Sequence, residues 1–168
     1  FSEKSKQFWF ASTPQIDNEI KVRFEHSWKK AAAGEYSQWR ESADGSVALI
    51  VILDQFPLNM YRLKPKSFQT ENMAVDVALN AINNGYDEEL NDEQLLFLFM
   101  PLMHSENIDH QNLQVYLFEK YNFNLEFSKH HRDLVKKFGR FPHRNEILGR
   151  MSTMEELDYL LSDNAFKG

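Results

Sequence analysis

The chain of 168 residues contains no cysteine, so neither a disulfide nor a thiolate metal site is available to it. Glycine and proline are scarce, at six and five residues. An all-β sandwich draws heavily on both for its turns, so their shortage points to helices. Long apolar runs are missing too. The longest, residues 47–53, holds seven residues and is too short to span a bilayer. Positive charge is also short: 19 Lys and Arg against 25 Asp and Glu leave a net charge of −6. That balance works against a nonspecific grip on nucleic acid or anionic lipid, so neither nucleic acid nor membrane is expected as a partner. The opening residues Phe1-Ser2-Glu3-Lys4 carry no signal-peptide pattern, and a reducing cytoplasm is the expected location.

Aromatic residues are plentiful: 14 Phe, six Tyr and three Trp predict a dense core, because each ring removes a large area from water. The length suits one domain over residues 1–168, with no linker or low-complexity tract to divide it. Thr13-Pro14 reads as a helix start, and Ile16, Ile20, Phe24 and Trp28 then lay one apolar stripe towards Gly34. Phe8-Trp9-Phe10 is expected to dock on the same core. Residues 47–53 suit a buried strand or a buried helix by length and β-branching. No partner strand is evident, so a central helix is expected, ended by Asp54-Gln55-Phe56-Pro57. Thr70 caps a helix over residues 71–84, with Val75, Leu79 and Ile82 inward and Gly85 as its stop. Further helices are expected from Asn91 to a break at Pro101, over residues 109–121, and from Asn124 to Gly139. Ser152-Thr153-Met154-Glu155 resembles a capping box opening a short terminal helix. The fold class is therefore all-α: a single domain of helical hairpins.

Several polar residues interrupt this pattern. Phe127, His131, Leu134 and Phe138 fall at one helical register, which puts the His131 imidazole on an apolar stripe. It is expected to be buried, bonded to a carboxylate or a carbonyl, either as a satisfied core histidine or as a general acid/base. Asp54 follows the apolar run on the face of Val47, Ile50 and Val51. A carboxylate there needs an Arg or several N–H donors, and an Arg is expected, with Arg140, Arg144 or Arg62 as candidates. His104-Ser105-Glu106 is a polar triplet after a hydrophobic helix. Together with His131, Asp133 and His143 it holds nitrogen and oxygen ligands, but residues two apart diverge on a helix, and no metal site is expected. A Ser105 nucleophile served by His104 is weaker still, since adjacent side chains rarely meet and no elbow motif surrounds the serine. Gly139-Arg140-Phe141-Pro142-His143-Arg144-Asn145 is the densest polar segment. Arg140 and Arg144 suit the neutralising of buried acids, or equally the holding of a carboxylate or phosphate, or simply a solvated loop.

These blocks together resemble a bacterial family of unassigned function, domain of unknown function nine hundred and twenty-four. The residues that carry the likeness are Phe8-Trp9-Phe10, then Leu53-Asp54-Gln55-Phe56-Pro57 with Asn59, Tyr61 and Arg62. Pro101-Leu102-Met103-His104-Ser105-Glu106 with Gln111 continues it. His131-Arg132-Asp133, the stretch from Phe138 to Asn145, and Leu148-Gly149-Arg150 complete it. The family is similar to tetratricopeptide-like helical folds, which implies that residues 47–53 are helical. Its usual Arg after Asp-Gln-Phe-Pro is Leu58 here, and the Gly expected after Arg62 is Leu63. No activity accompanies the resemblance.

Two functional readings follow. One is a site for a small, anionic molecule, with His131, Glu106 and His104 as acid/base groups. Asp54, Arg62, Arg132, Arg140, His143, Arg144 and Asn145 would be its binding residues, and no cofactor is expected. In this reading His104, Glu106, His131, Arg140, His143 and Arg144 converge on one cavity. The alternative is a non-catalytic tetratricopeptide-like module that takes a peptide or protein along a groove lined by Asn59, Tyr61 and Arg62.

Overall fold

The computed structural model describes residues 12–166, and the chain enters it at the expected helix start. Phe8-Trp9-Phe10 lies outside the described residues. In α1 (Pro14–Ala32), the Thr13 hydroxyl accepts the Ile16 N–H at 3.4 Å, and Trp28 is the buried member of the expected stripe.

Helix α2 (Ala43–Ile50) passes through a single π-helical turn (Val51–Gln55) into α3 (Phe56–Met60). The apolar run is helical, but the expected stop at Asp54-Gln55-Phe56-Pro57 is absent. Pro57 has no N–H to give the Leu53 carbonyl four residues back, and in a regular helix its ring strikes that carbonyl. The π turn widens the backbone there, with the Phe56 N–H bonding to the Val51 carbonyl. The displaced Leu53 carbonyl accepts instead the Thr70 hydroxyl at 2.5 Å, and the hydroxyl oxygen of Thr70 in turn accepts the Trp28 indole N–H at 3.0 Å. Thr70 therefore ties three segments together. It stands at the N-cap of α4 (Glu71–Asn83) but makes no cap bond with its side chain.

Helices α5 (Asp92–His104), α6 (Ile108–Lys120) and α7 (Leu125–Phe138) follow α4 through short connections, and each packs on the next. Helix α2 lies against both α4 and α5, and the main core gathers there around Ile50, Leu53, Leu98, Phe99 and Leu102. The expected break at Pro101 does not occur, and α5 runs on to His104. Its last carbonyls are held from outside: the fully buried Gln111 side chain of α6 donates to the carbonyls of Leu102, Met103 and Ser105 at 3.3, 2.6 and 2.7 Å. Tertiary hydrogen bonds thus replace what the helix loses near its end.

Helix α7 buries Ser128, His131, Leu134 and Val135, while Phe127 is 63% exposed. The buried stripe is rotated from the expected one because the Ser128 hydroxyl donates to the buried Gln114 of α6. The last helix, α8 (Met154–Leu160), has its capping box one residue later than expected, pairing Thr153 with Glu156. Among the described residues there is no strand, and no helix is long and apolar enough to cross a membrane.

Leu63 adopts a left-handed φ of +59° and is 77% exposed. It occupies the place where the resembled family carries Gly. The left-handed region strains a side chain and suits glycine, and an exposed leucine gains nothing back from packing. Leu63→Gly is expected to raise stability by roughly 1 kcal/mol in urea denaturation, and a lower midpoint would contradict this account. Thr70→Val leaves the Leu53 carbonyl and the Trp28 N–H buried without partners. It should lower stability by roughly 2–5 kcal/mol, and a variant melting like the parent would remove Thr70 from its bridging role.

Candidate functional site

The π turn places Asp54 on the inner side of the helix, 3% exposed and facing the end of α5. Its partner is His104, not Arg62, Arg140 or Arg144 as the sequence led us to expect. The Nδ1–H of His104 donates to both carboxylate oxygens at 3.0 Å, and the Gln55 amide donates to Oδ2 at 2.5 Å. Each arginine is engaged elsewhere: Arg62 with Asp17, Arg140 with Glu156 and Arg144 with Glu71. Because a carboxylate only accepts, His104 carries its proton on Nδ1 and leaves Nε2 as the titrating nitrogen. Burial pulls the imidazolium pKa down, and the Asp54 carboxylate more than offsets it, so the net shift is upward.

Arg144 closes the short turn Pro142–Arg144 and is 6% exposed. Its guanidinium carbon lies close to two rings, 4.6 Å from the Phe68 centroid and 4.7 Å from that of Phe141. Nη1 donates to Glu71 Oε2 at 2.9 Å, whereas Nε is buried and donates to nothing. Burial pushes the Glu71 carboxyl above its usual range, with Arg144 opposing it only in part. The next residue back, His143, also has a buried, unpartnered Nδ1. Burial, reinforced by Arg144, pushes its imidazole down to about 3, so it is neutral at pH 7.

The ring of Phe141, fully buried, joins these groups. His131 lies 5.6 Å from it edge-on and His143 lies 5.6 Å away. The Phe141 N–H donates to Glu106 at 2.8 Å. His131 is 5% exposed and donates from Nδ1 to the Phe127 carbonyl at 2.8 Å, as its register implies. Burial lowers its pKa to about 4. His104, Glu106, His131, His143 and Arg144 therefore gather around Glu71 and Phe141.

Other expected site residues belong to different networks. Arg140 makes a bidentate pair with Glu156 at 2.7 and 2.9 Å, and Asn145 donates to Glu156 at 3.2 Å. These bonds pin α8 and leave Arg140 outside the cluster. Glu106 accepts from Arg150 at 2.6 and 2.9 Å. Burial acts to raise its pKa, but Arg150 and the Phe141 amide outweigh burial and hold it low. Arg132 pairs with its neighbour Asp133, and Arg62 with Asp17 and Asn59. Both sit apart from Arg144 and its partners. Tyr61, expected along a peptide groove, is 4% exposed and donates to Glu25 of α1. Ser105 meets His110 at 2.9 Å rather than His104.

Glu71 and Phe68 escape a reading of the sequence. Glu71 follows Thr70 as any acid in a first helical turn does, and Phe68 is one of fourteen phenylalanines. A cleft of about 350 Å³ opens beside the cluster, lined by Pro142, His143, Glu146, Ser152, Leu157 and Leu160. A second space of about 150 Å³, between α1, α2 and α4, touches none of the clustered residues.

Two outcomes test this geometry. Asp54→Ala leaves His104 without its counter-charge and should lower stability by roughly 3–5 kcal/mol; an unchanged melt would void the pair. His131 is held below its unfolded value of 6.5, so the unfolded chain binds more protons. Its contribution is complete above pH 6.5 and is lost as pH falls towards 4, a change of roughly 3 kcal/mol. Urea unfolding of His131→Gln should show a shallower loss of stability across that window than the parent. Equal slopes would assign the acid sensitivity elsewhere.

The likeness to known proteins bears on the whole chain. No curated protein matches it. The solved structure of a protein of unknown function from Agrobacterium tumefaciens is similar, with a TM-score of 0.89 and 35% identity, over 96% of this chain and 92% of that one. Residues 1–164 match the family described as "Bacterial protein of unknown function (DUF924)". The chain belongs to that family.

Proposed function

We propose that the protein binds a small anionic molecule at Arg144 and transfers a proton to or from it through the Asp54–His104 pair. The observation that carries this reading is the buried Nε of Arg144, unpartnered on a guanidinium already packed against Phe68 and Phe141. A buried donor without an acceptor is costly, and an incoming carboxylate or phosphate oxygen supplies one. The two rings and the Glu71 bond restrict the movement of the planar guanidinium, which favours a binding edge set before the ligand arrives. Asp54 orients His104 and leaves Nε2 as the titrating nitrogen, which is the arrangement of a general acid/base. Glu71, beside both His104 and Arg144, is a second acidic group, and burial strengthens its hold on a proton. His131 and His143, held neutral by burial, act as polar walls rather than as bases.

Thermal unfolding in the presence of small carboxylates and of inorganic phosphate tests the site. A ligand at a hundredfold excess over its Kd adds about 2.7 kcal/mol to the parent. Arg144→Ala should unfold at a temperature that no anion raises, while Arg132→Ala, with the exposed Arg132–Asp133 pair removed, responds as the parent does. An Arg144→Ala protein stabilised as much as the parent would refute the assignment.

A further inference from the structure

Glu71 shares the Arg144 guanidinium, and this sharing restricts what the site accepts. We infer that the ligand is a monocarboxylate, bound in the guanidinium plane at the Nε edge of Arg144, and that its binding brings one proton onto Glu71. The inference rests on the reading of Arg144 as an anion site and narrows it.

Phe68 and Phe141 stand 4.6 and 4.7 Å from the guanidinium carbon, so two aromatic rings crowd the group. A ligand's oxygens meet its N–H bonds along the edge of the group, where those bonds point. Nη1 is engaged by Glu71, and Nε is the donor left without a partner. The N–H bonds at Nε and Nη2 are parallel and lie in one plane, which matches the two oxygens of a carboxylate. A phosphate brings further oxygens out of that plane, and so needs more room beside the two rings than a carboxylate does.

The charged groups that bear on Glu71 are Arg144, His104, Asp54 and Glu106. Arg144, joined by His104 when that imidazole is protonated, thus faces three carboxylates, one of which, Glu106, is already paired with Arg150. A dianion brings two more negative charges against Asp54 and Glu71. A carboxylate brings one, and a single proton on Glu71 cancels it. Glu71 is the group placed to take that proton: burial already raises its pKa, and a ligand that draws on Arg144 weakens the one interaction opposing that rise. The proton comes from solvent, to which Glu71 and His104 keep 17% and 18% of their side-chain exposure. Once protonated, the Glu71 hydroxyl becomes a donor towards the ligand, in place of a repelling charge.

Calorimetric titration of the parent with propionate and with inorganic phosphate, in buffers of differing ionisation enthalpy, tests the inference. Propionate should bind at least tenfold more tightly than phosphate near pH 7, with an apparent enthalpy that reports uptake of about one proton. Its affinity should fall at least tenfold between about pH 6 and about pH 8. Glu71→Gln lacks the charge, so it should bind propionate at least tenfold more tightly than the parent at about pH 8, with neither the uptake nor the pH slope. Carbon NMR of the Glu71 carboxyl in the parent reads the same protonation directly, whether or not the variant folds. Phosphate binding as tightly as propionate, or a Glu71 signal unmoved at saturation, overturns the inference and leaves Arg144 an anion site. Absence of binding by both anions overturns the anion site itself and this inference with it.

Discussion

Pro57 sits within a helix and has no N–H, and the carbonyl of Leu53 must find a donor elsewhere. The chain meets this constraint with the π turn over Val51–Gln55 and the Thr70 hydroxyl, which reaches the Leu53 carbonyl while accepting the Trp28 indole. One hydroxyl thereby fixes α1, the α2–α3 helix and the start of α4 against one another. The position of Asp54 depends on the same turn, because an added residue in the helical repeat changes the direction of the side chains that follow. Asp54 then faces the end of α5, and the start of α4 carries Glu71 towards Arg144. The candidate site is assembled at the point where the helix is least regular.

The arginines divide by how fully they are satisfied. Arg140 and Arg150 each make two bonds to one carboxylate and further bonds to carbonyls or to Asn145, and these bonds anchor the chain from Phe141 to α8. Arg144 is more deeply buried than either, yet has one acceptor and an idle Nε. Each idle polar atom in a buried network subtracts from its stability. The contrast between Arg144 and its neighbours is what supports the proposed anion site. The low pKa values of His131 and His143 belong to the same packing: both rings lie against Phe141 and Phe166, where an imidazolium would lose its hydration.

Much of the fold is legible in the residues. The absence of cysteine, the shortage of glycine and proline, and the caps at Thr13, Asn91 and Asn124 mark an all-helical chain, and local chemistry suffices for each of these signals. The burial of His131 follows from its register on α7. Where local rules mislead, long-range bonds have overridden them. Pro57 and Pro101 read as helix stops, yet the helices continue: Thr70, 17 residues on, supplies the donor that the Leu53 carbonyl lacks, and Gln111 of the next helix holds the carbonyls at the end of α5. Phe127 reads as core, yet the Ser128–Gln114 bond turns α7 so that it faces solvent.

For the site, the sequence by itself determined which chemical groups are present: a carboxylate after an apolar run, a histidine at a helix end, and arginines following Gly139. It did not determine their pairing. Asp54 lies 50 residues from His104, and Arg144 lies 73 from Glu71. Every carboxylate in the chain is an equally good partner for an arginine until packing brings one of them near. Only the tertiary structure chose His104 for Asp54 and Glu71 for Arg144, because ion pairing acts over a few ångströms, and those distances are set by how the helices pack.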